Sequence, residues 1–171
     1  MKEKRLLALD QSSRITGWSY FEDNKLIISG HIDLHHDEVG DRLVTLKKEV
    51  LKLIHKYDIN EIAFEDIQMQ ASVGNNVQTF KILAEVFGVI LMLCTELKIN
   101  YTIVSSNTWK STLKIKGKKR SEQKQDAQRY VLEHYGIKAI QDTVDAICIG
   151  AHMIANPGKN TISFEEGFVW E

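Results

Sequence analysis

The chain has 171 residues, with 22 basic and 23 acidic side chains and a formal net charge of −1. That length fits one domain with a substantial core, and the balanced charge neither demands nor excludes a polyanionic partner. Cys94 and Cys148 both lie in apolar stretches without a CxxC partner, which argues for buried thiols and against a disulfide framework or a zinc site.

The opening Met1-Lys2-Glu3-Lys4-Arg5 leads into an apolar run too short for a signal peptide or a membrane span. No other stretch reaches spanning length without a charge, so a soluble protein without a membrane partner is expected. Arg5 to Asp10 reads as a central strand that ends on an acid. A Ser-Ser turn leads to Ile15–Phe21, and Glu22-Asp23-Asn24-Lys25 makes a turn before Leu26–Ile32. Three strands joined by short polar turns form an antiparallel meander. From Gly40, apolar residues recur at Leu43, Leu46, Val50, Leu53 and Ile54, which is helical spacing.

Glu61 to Asp66 is the next strand, reached through a crossover helix and therefore expected to run parallel to the first. Parallel neighbours end at the same sheet edge, so Asp10 meets an acid of the Glu65-Asp66 pair there. Period-two alternation puts Glu65 and Asp66 on opposite faces, and the pattern does not choose between them.

Gly74-Asn75-Asn76 closes a polar loop before a long apolar helix from about Val77 to Leu97. Phe80, Leu83, Phe87, Ile90, Cys94 and Leu97 form one stripe; Ile82, Val86, Val89 and Leu93 form another. A helix apolar over so much of its girth is either a core helix or the seam of a homodimer. Asn100–Val104 is a strand, and Ser105-Ser106-Asn107-Thr108 offers helix-capping chemistry ahead of Trp109 and Lys110. Lys114 to Arg120 is strongly basic. A helix from Ser121 to Tyr135 stops at Gly136, and the last helix runs from Asp142 to about Asn156. No repeat, low-complexity segment or linker interrupts residues 1–156, which are expected to form one domain with 157–171 as a tail. The order of elements is that of an α/β domain with a mixed sheet.

Four acids carry the chemistry. Asp142 and Asp145 are three residues apart and share a helix face. Asp-x-x-Asp at a helix start also serves as a cap, but the following Ala146-Ile147-Cys148-Ile149-Gly150-Ala151 has no polar face and turns these acids toward the core. Asp10 has the alternative of starting an Asx turn into Gln11-Ser12-Ser13, whereas Glu65 has little structural use after Ile-Ala-Phe. Converging carboxylates are costly to desolvate without a cation, and hard oxygen ligands suit Mg²⁺ or Mn²⁺.

Two ions per site would activate a water and steady the leaving 3′ oxygen of an in-line displacement, leaving 5′-phosphate and 3′-hydroxyl ends. Lys110 or Lys124 would neutralise the transition state. Lys116, Lys118, Lys119 and Arg120 read as phosphate contacts or as a solvated loop. His152 reads as a packed histidine and His35-His36-Asp37 as a surface turn. Core packing is the expectation for Trp18, Trp109 and Trp170, although Trp109 beside Lys110 can face nucleic acid.

Asp10-Gln11-Ser12-Ser13-Arg14-Ile15-Thr16-Gly17, Ala63-Phe64-Glu65 and Asp142-Thr143-Val144-Asp145-Ala146 resemble the three acidic motifs of RuvC-type Holliday junction resolvases. The likeness continues through the Asn75-Asn76 loop, Gly88, Lys110 and Lys124, in order, to about Asn156. It implies a ribonuclease H-like fold and a homodimer on branched, four-way DNA in the cytoplasm of a bacterial or phage-infected cell. Each subunit would nick one of two strands of like polarity with Mg²⁺.

The resemblance places catalytic and metal-binding roles on Asp10, Glu65, Asp142 and Asp145, with a catalytic lysine at Lys124. It places DNA contacts on Arg14, Gln68, Met69, Asn75, Asn76, Lys110, Lys114, Lys116, Lys118, Lys119, Arg120 and Lys124. Two departures bear on recognition. Gln11-Ser12 replaces the usual Pro-Gly after the first acid, and Gln68-Met69 occupies the position of an aromatic wedge. The departures imply altered recognition near the junction centre, and the short chain and changed loop look similar to divergent bacteriophage-type members.

The competing readings are a relaxed branched-DNA, flap or RNA–DNA hybrid nuclease of the same fold, and a non-catalytic branched-DNA binding protein. A sugar kinase or actin-like ATPase needs two such lobes and is set aside.

Overall fold

The computed structural model describes residues 3–68 and 77–164. Its sheet has five strands in the order β3-β2-β1-β4-β5. These are β1 (Arg5–Gln11), β2 (Ile15–Glu22), β3 (Lys25–Asp33), β4 (Glu61–Glu65) and β5 (Asn100–Val104). The expected meander is present: β1 and β2 pair antiparallel, as do β2 and β3. Asp23 and Asn24 both take positive φ in the turn between β2 and β3, the geometry that matches a two-residue hairpin to the twist of its strands. β4 lies parallel to β1, and β5 parallel to β4.

Helices cover both faces. Alternation along β1 sends Leu7 and Leu9 into one core and Leu6 and Ala8 into the other. The first core is closed by α1 (Val39–Tyr57) and α2 (Val77–Glu96); the second by α3 (Ser106–Thr112), α4 (Arg120–Tyr135) and α5 (Gln141–Ala155). Cys94 and Cys148 are buried free thiols, one in each core.

α2 buries Val86, Ile90, Leu93 and Cys94, two from each of its apolar stripes, with Phe87 edge-on to Phe64 at 5.1 Å. Phe80, Leu83 and Phe87 stay partly exposed, and Met92 is 42% exposed. By length and composition α2 could cross a membrane, but core helices of soluble proteins meet the same test. The segment after Asn156 returns to the sheet. Ile162 forms an antiparallel bridge to Tyr101, and the Phe164 amide donates to Asn100 Oδ1 at 3.1 Å, so this stretch covers the β5 edge.

α5 sits unusually close to the sheet, and small residues make that possible. A Cβ on Gly17 of β2 would lie 1.9 Å from the Asp142 carbonyl oxygen, and one on Gly150 would meet the Phe21 ring at 2.2 Å. Ser19 Oγ donates to the Ala146 carbonyl at 2.8 Å and Thr143 Oγ1 to the Gly30 carbonyl at 2.9 Å. These contacts fix both the height and the rotation of the helix. Gly17→Ala is therefore expected to lift the start of α5 and destabilise the protein by about 3 kcal/mol or more. Urea melts read the loss, and an effect below 1 kcal/mol would mean that α5 is not seated by this contact.

Candidate active site

The register decides which acid accompanies Asp10. Leu9 pairs with Phe64 across β1 and β4, so the next residues, Asp10 and Glu65, stand abreast. Both continue the parity of Leu6, Ala8 and Ala63, which face α5. Asp66 is exposed, with its amide bonded to the Val104 carbonyl at 2.9 Å. The alternation left open by the sequence is thus resolved in favour of Glu65. Asp142 and Asp145 arrive on the first turns of α5. They are not caps: the N-cap is Ile140, which makes no side-chain cap bond. Nor does Asp10 build the turn after β1. Ser12 does, donating through Oγ to the Ile15 carbonyl and accepting from the Ile15 amide at 3.1 Å.

The four acids act on one another. Burial raises the Asp10 carboxyl well above its ordinary range, and the charges of Glu65, Asp145 and Asp142 push in the same direction, with Lys110 opposing. Burial also raises Glu65, against the pull of the Trp109 indole N–H, Lys110 and Arg120. Asp145 is pushed up to about 7, first by burial, with a hydrogen bond from Gln141 opposing and Glu65 adding to the rise. That bond is 2.7 Å from Gln141 Nε2 to Asp145 Oδ1.

Two residues that hold Glu65 were not expected from the sequence. Trp109, only 2% exposed, donates its indole N–H to Glu65 Oε2 at 2.9 Å. The Gln11 side chain donates to the Glu65 carbonyl and accepts from the Glu65 amide at 3.2 Å, extending the β1–β4 ladder with a side-chain amide. The sequence signal for Trp109 was present but generic: a buried indole needs an acceptor. Gln11 gave none, because its role depends on the strand beside it.

The acids converge, yet among the described residues no three His, Cys, Asp or Glu side chains stand close enough to hold one metal ion. Uncompensated carboxylates repel, and Glu65 is held toward Trp109. The donor set nonetheless fits a hard divalent ion: it is all carboxylate, and the burial and neighbouring charge that raise its proton affinities are costs a cation would offset.

Lys110, whose ammonium lies 3.3 Å from Ser106 Oγ, acts on Asp10, Glu65 and Asp145. Lys124, expected at the reaction centre, is exposed on α4. Arg120, the first residue of α4, also lowers the proton affinity of Glu65. Arg14, Gln68, Lys114, Lys116, Lys118 and Lys119 are exposed. Met69, Asn75 and Asn76 lie outside the described residues. His152 is packed as expected, with Nδ1 at 2.8 Å from Thr112 Oγ1.

The family model for crossover junction endodeoxyribonuclease RuvC matches residues 6–152. The chain belongs to the RuvC family. A curated relative, the crossover junction endodeoxyribonuclease RuvC of Ehrlichia canis (strain Jake), is 28% identical over 148 residues, covering 84% of this chain and 92% of its own. Among solved structures, T. thermophilus RuvC in complex with Holliday junction substrate superposes with a TM-score of 0.74 at 14% identity, covering 94% of this chain and 99% of that one. The yeast mitochondrial Holliday junction resolvase Ydc2 does so with a TM-score of 0.56 at 13% identity, covering 88% and 78%. The ribonuclease H-like fold expected from the motifs is therefore the fold of this RuvC family member.

The raised proton affinities set a pH dependence for the protein in chelator. An unfolded Asp titrates near about 3.9 and folded Asp145 at about 7. Between these values the folded state keeps a proton that the unfolded chain has released, so stability falls as pH rises through the window. Asp145→Asn is expected to stabilise the protein at pH 8 by roughly 2–4 kcal/mol and to flatten the slope between pH 5 and 8. Chemical denaturation across that range tests this; a variant as pH-sensitive as the parent would count against it.

Proposed function

We propose that this protein is a divalent-metal-dependent endonuclease that resolves four-way DNA junctions by paired symmetric nicks, acting as a homodimer in the cytoplasm of a bacterial or phage-infected cell. The observation that carries the reading is the mutual electrostatic field of Asp10, Glu65, Asp142 and Asp145 at one sheet edge of a RuvC family chain. These four acids would hold two Mg²⁺ ions, with Mn²⁺ able to substitute. When bound, the metal supplies an acidified attacking water and stabilises charge on the leaving oxygen.

The chain's own residues do the rest. Gln11 and Trp109 fix the backbone and the carboxylate of Glu65, so that acid is presented in one orientation. Lys110, close enough to act on three of the acids, neutralises the developing phosphorane charge. Arg14, Gln68, Lys114, Lys116, Lys118, Lys119, Arg120 and Lys124 are exposed and available to phosphates.

Nicking of a labelled four-way junction in Mg²⁺, compared with linear duplex, a flap and an RNA–DNA hybrid, tests the activity. Paired symmetric nicks are expected on the junction alone. Asp10→Asn is expected to lower the rate by at least about 1,000-fold (about 4 kcal/mol) while leaving junction binding in EDTA intact. Equal cutting of every branched substrate would replace the reading with a relaxed nuclease. Binding without cutting in Mg²⁺ or Mn²⁺ would leave a binding protein.

The apolar side chains that α2 leaves exposed in part, Phe80, Leu83, Phe87 and Met92, support the homodimer. Met92→Lys replaces an exposed apolar side chain of α2 with an ammonium and is expected to weaken dimerisation at least about 30-fold (about 2 kcal/mol). Sedimentation velocity reads the change, and an unaltered dimer would move the interface elsewhere.

A further inference from the structure

The basic segment between α3 and α4 is not a loosely solvated loop. Asp126 Oδ2 accepts from the backbone amides of Lys116 at 3.2 Å and Gly117 at 3.0 Å. Glu122 Oε2 accepts from the amides of Lys118 at 2.8 Å and Lys119 at 3.1 Å. Gln123 Nε2 donates to the Gly117 carbonyl at 3.0 Å. Four consecutive amides therefore point at two carboxylates of α4.

Gly117 is required by the fit, since a Cβ there would lie 2.5 Å from the Gln123 backbone nitrogen. With the backbone turned inward, the side chains of Lys116, Lys118, Lys119 and Arg120 are all exposed.

We infer that Glu122 and Asp126 are positioning residues for DNA: a carboxylate clamp that holds residues 116–119 as a preorganised phosphate rail. The inference rests on the nucleic-acid reading above and deepens it. Its consequence runs against simple electrostatics. Removing an acid from a surface that faces a polyanion ordinarily tightens binding. Here, removing the carboxylate's oxygen acceptors along with its charge loosens the rail, because the lysines must then be ordered at the moment of binding.

Charge and clamping separate cleanly in paired variants. Glu122→Gln and Asp126→Asn lose the charge but keep an oxygen acceptor; Glu122→Ala and Asp126→Ala lose both. Asp126 also pairs with Arg129 at 2.5 Å, so Arg129→Ala controls for that ion pair. Affinity for a four-way junction in EDTA, which keeps cleavage out of the readout, is expected to match or exceed the parent in the amide variants. It is expected to fall about five- to tenfold in the alanine variants. Hydrogen exchange at residues 116–119 should accelerate in the alanine variants and be restored in the amide variants.

Elution from heparin measures the same rail without a junction. A parent protein that ignores junctions but shows the amide–alanine difference on heparin would sink the resolvase reading and keep the clamp. Alanine variants that bind as tightly as their amide counterparts would overturn the clamp. So would unchanged exchange at residues 116–119, a readout taken on the folded protein and independent of any ligand.

Discussion

Asp10, Glu65 and Asp145 hold their protons more tightly than ordinary carboxylates because burial and neighbouring negative charge act on them together. A fold that gathers acids in this way loses stability as they ionise, so the surrounding elements must be rigid enough to keep them together. Each acid accordingly leaves a well-packed element. Asp10 follows four fully buried residues of β1, Glu65 follows three of β4, and α5 is buried over most of its length.

That rigidity has a specific origin on the α5 side. Gly17 and Gly150 let the helix approach the sheet closer than side chains normally allow, and the Ser19 and Thr143 hydroxyls bond across the junction. The helix start is thereby held against β2, whose Gly17 pairs with Asp10 on the neighbouring β1. On the other side, Gln11 and Trp109 hold Glu65 from its backbone and its carboxylate. The result is a set of acids whose separation is governed by backbone packing, while Lys110 and Arg120 supply the opposing charge. The basic segment is built on the same logic, with carboxylates fixing backbone amides so that cationic side chains face outward.

Much of this was legible in the chain. The apolar run ending at Asp10, the helical period after Gly40 and the run ending at Glu65 dictate a meander followed by a parallel strand, and the structure has both. The absence of a polar face after Asp145 correctly turned that acid inward. Other features were hidden for a physical reason. Gln11 forms its bonds with a residue 54 positions away, and nothing in the local sequence distinguishes an amide that joins a ladder from one that faces water. Lys110 and Lys124 looked interchangeable because charge without position does not say which ammonium reaches a carboxylate.

By itself, the sequence determined the element order, the two-sided core and the four acids, since these follow from hydrophobic period and from the cost of burying charge without compensation. Tertiary structure alone decided between Glu65 and Asp66, because face depends on strand register and not on composition. It also decided that Trp109 and Gln11 hold Glu65, that Lys110 is a nearby cation, and that the acids stand near one another without closing to ligating distance. Those outcomes depend on distances of a few ångströms between segments far apart in the chain, and only packing sets such distances.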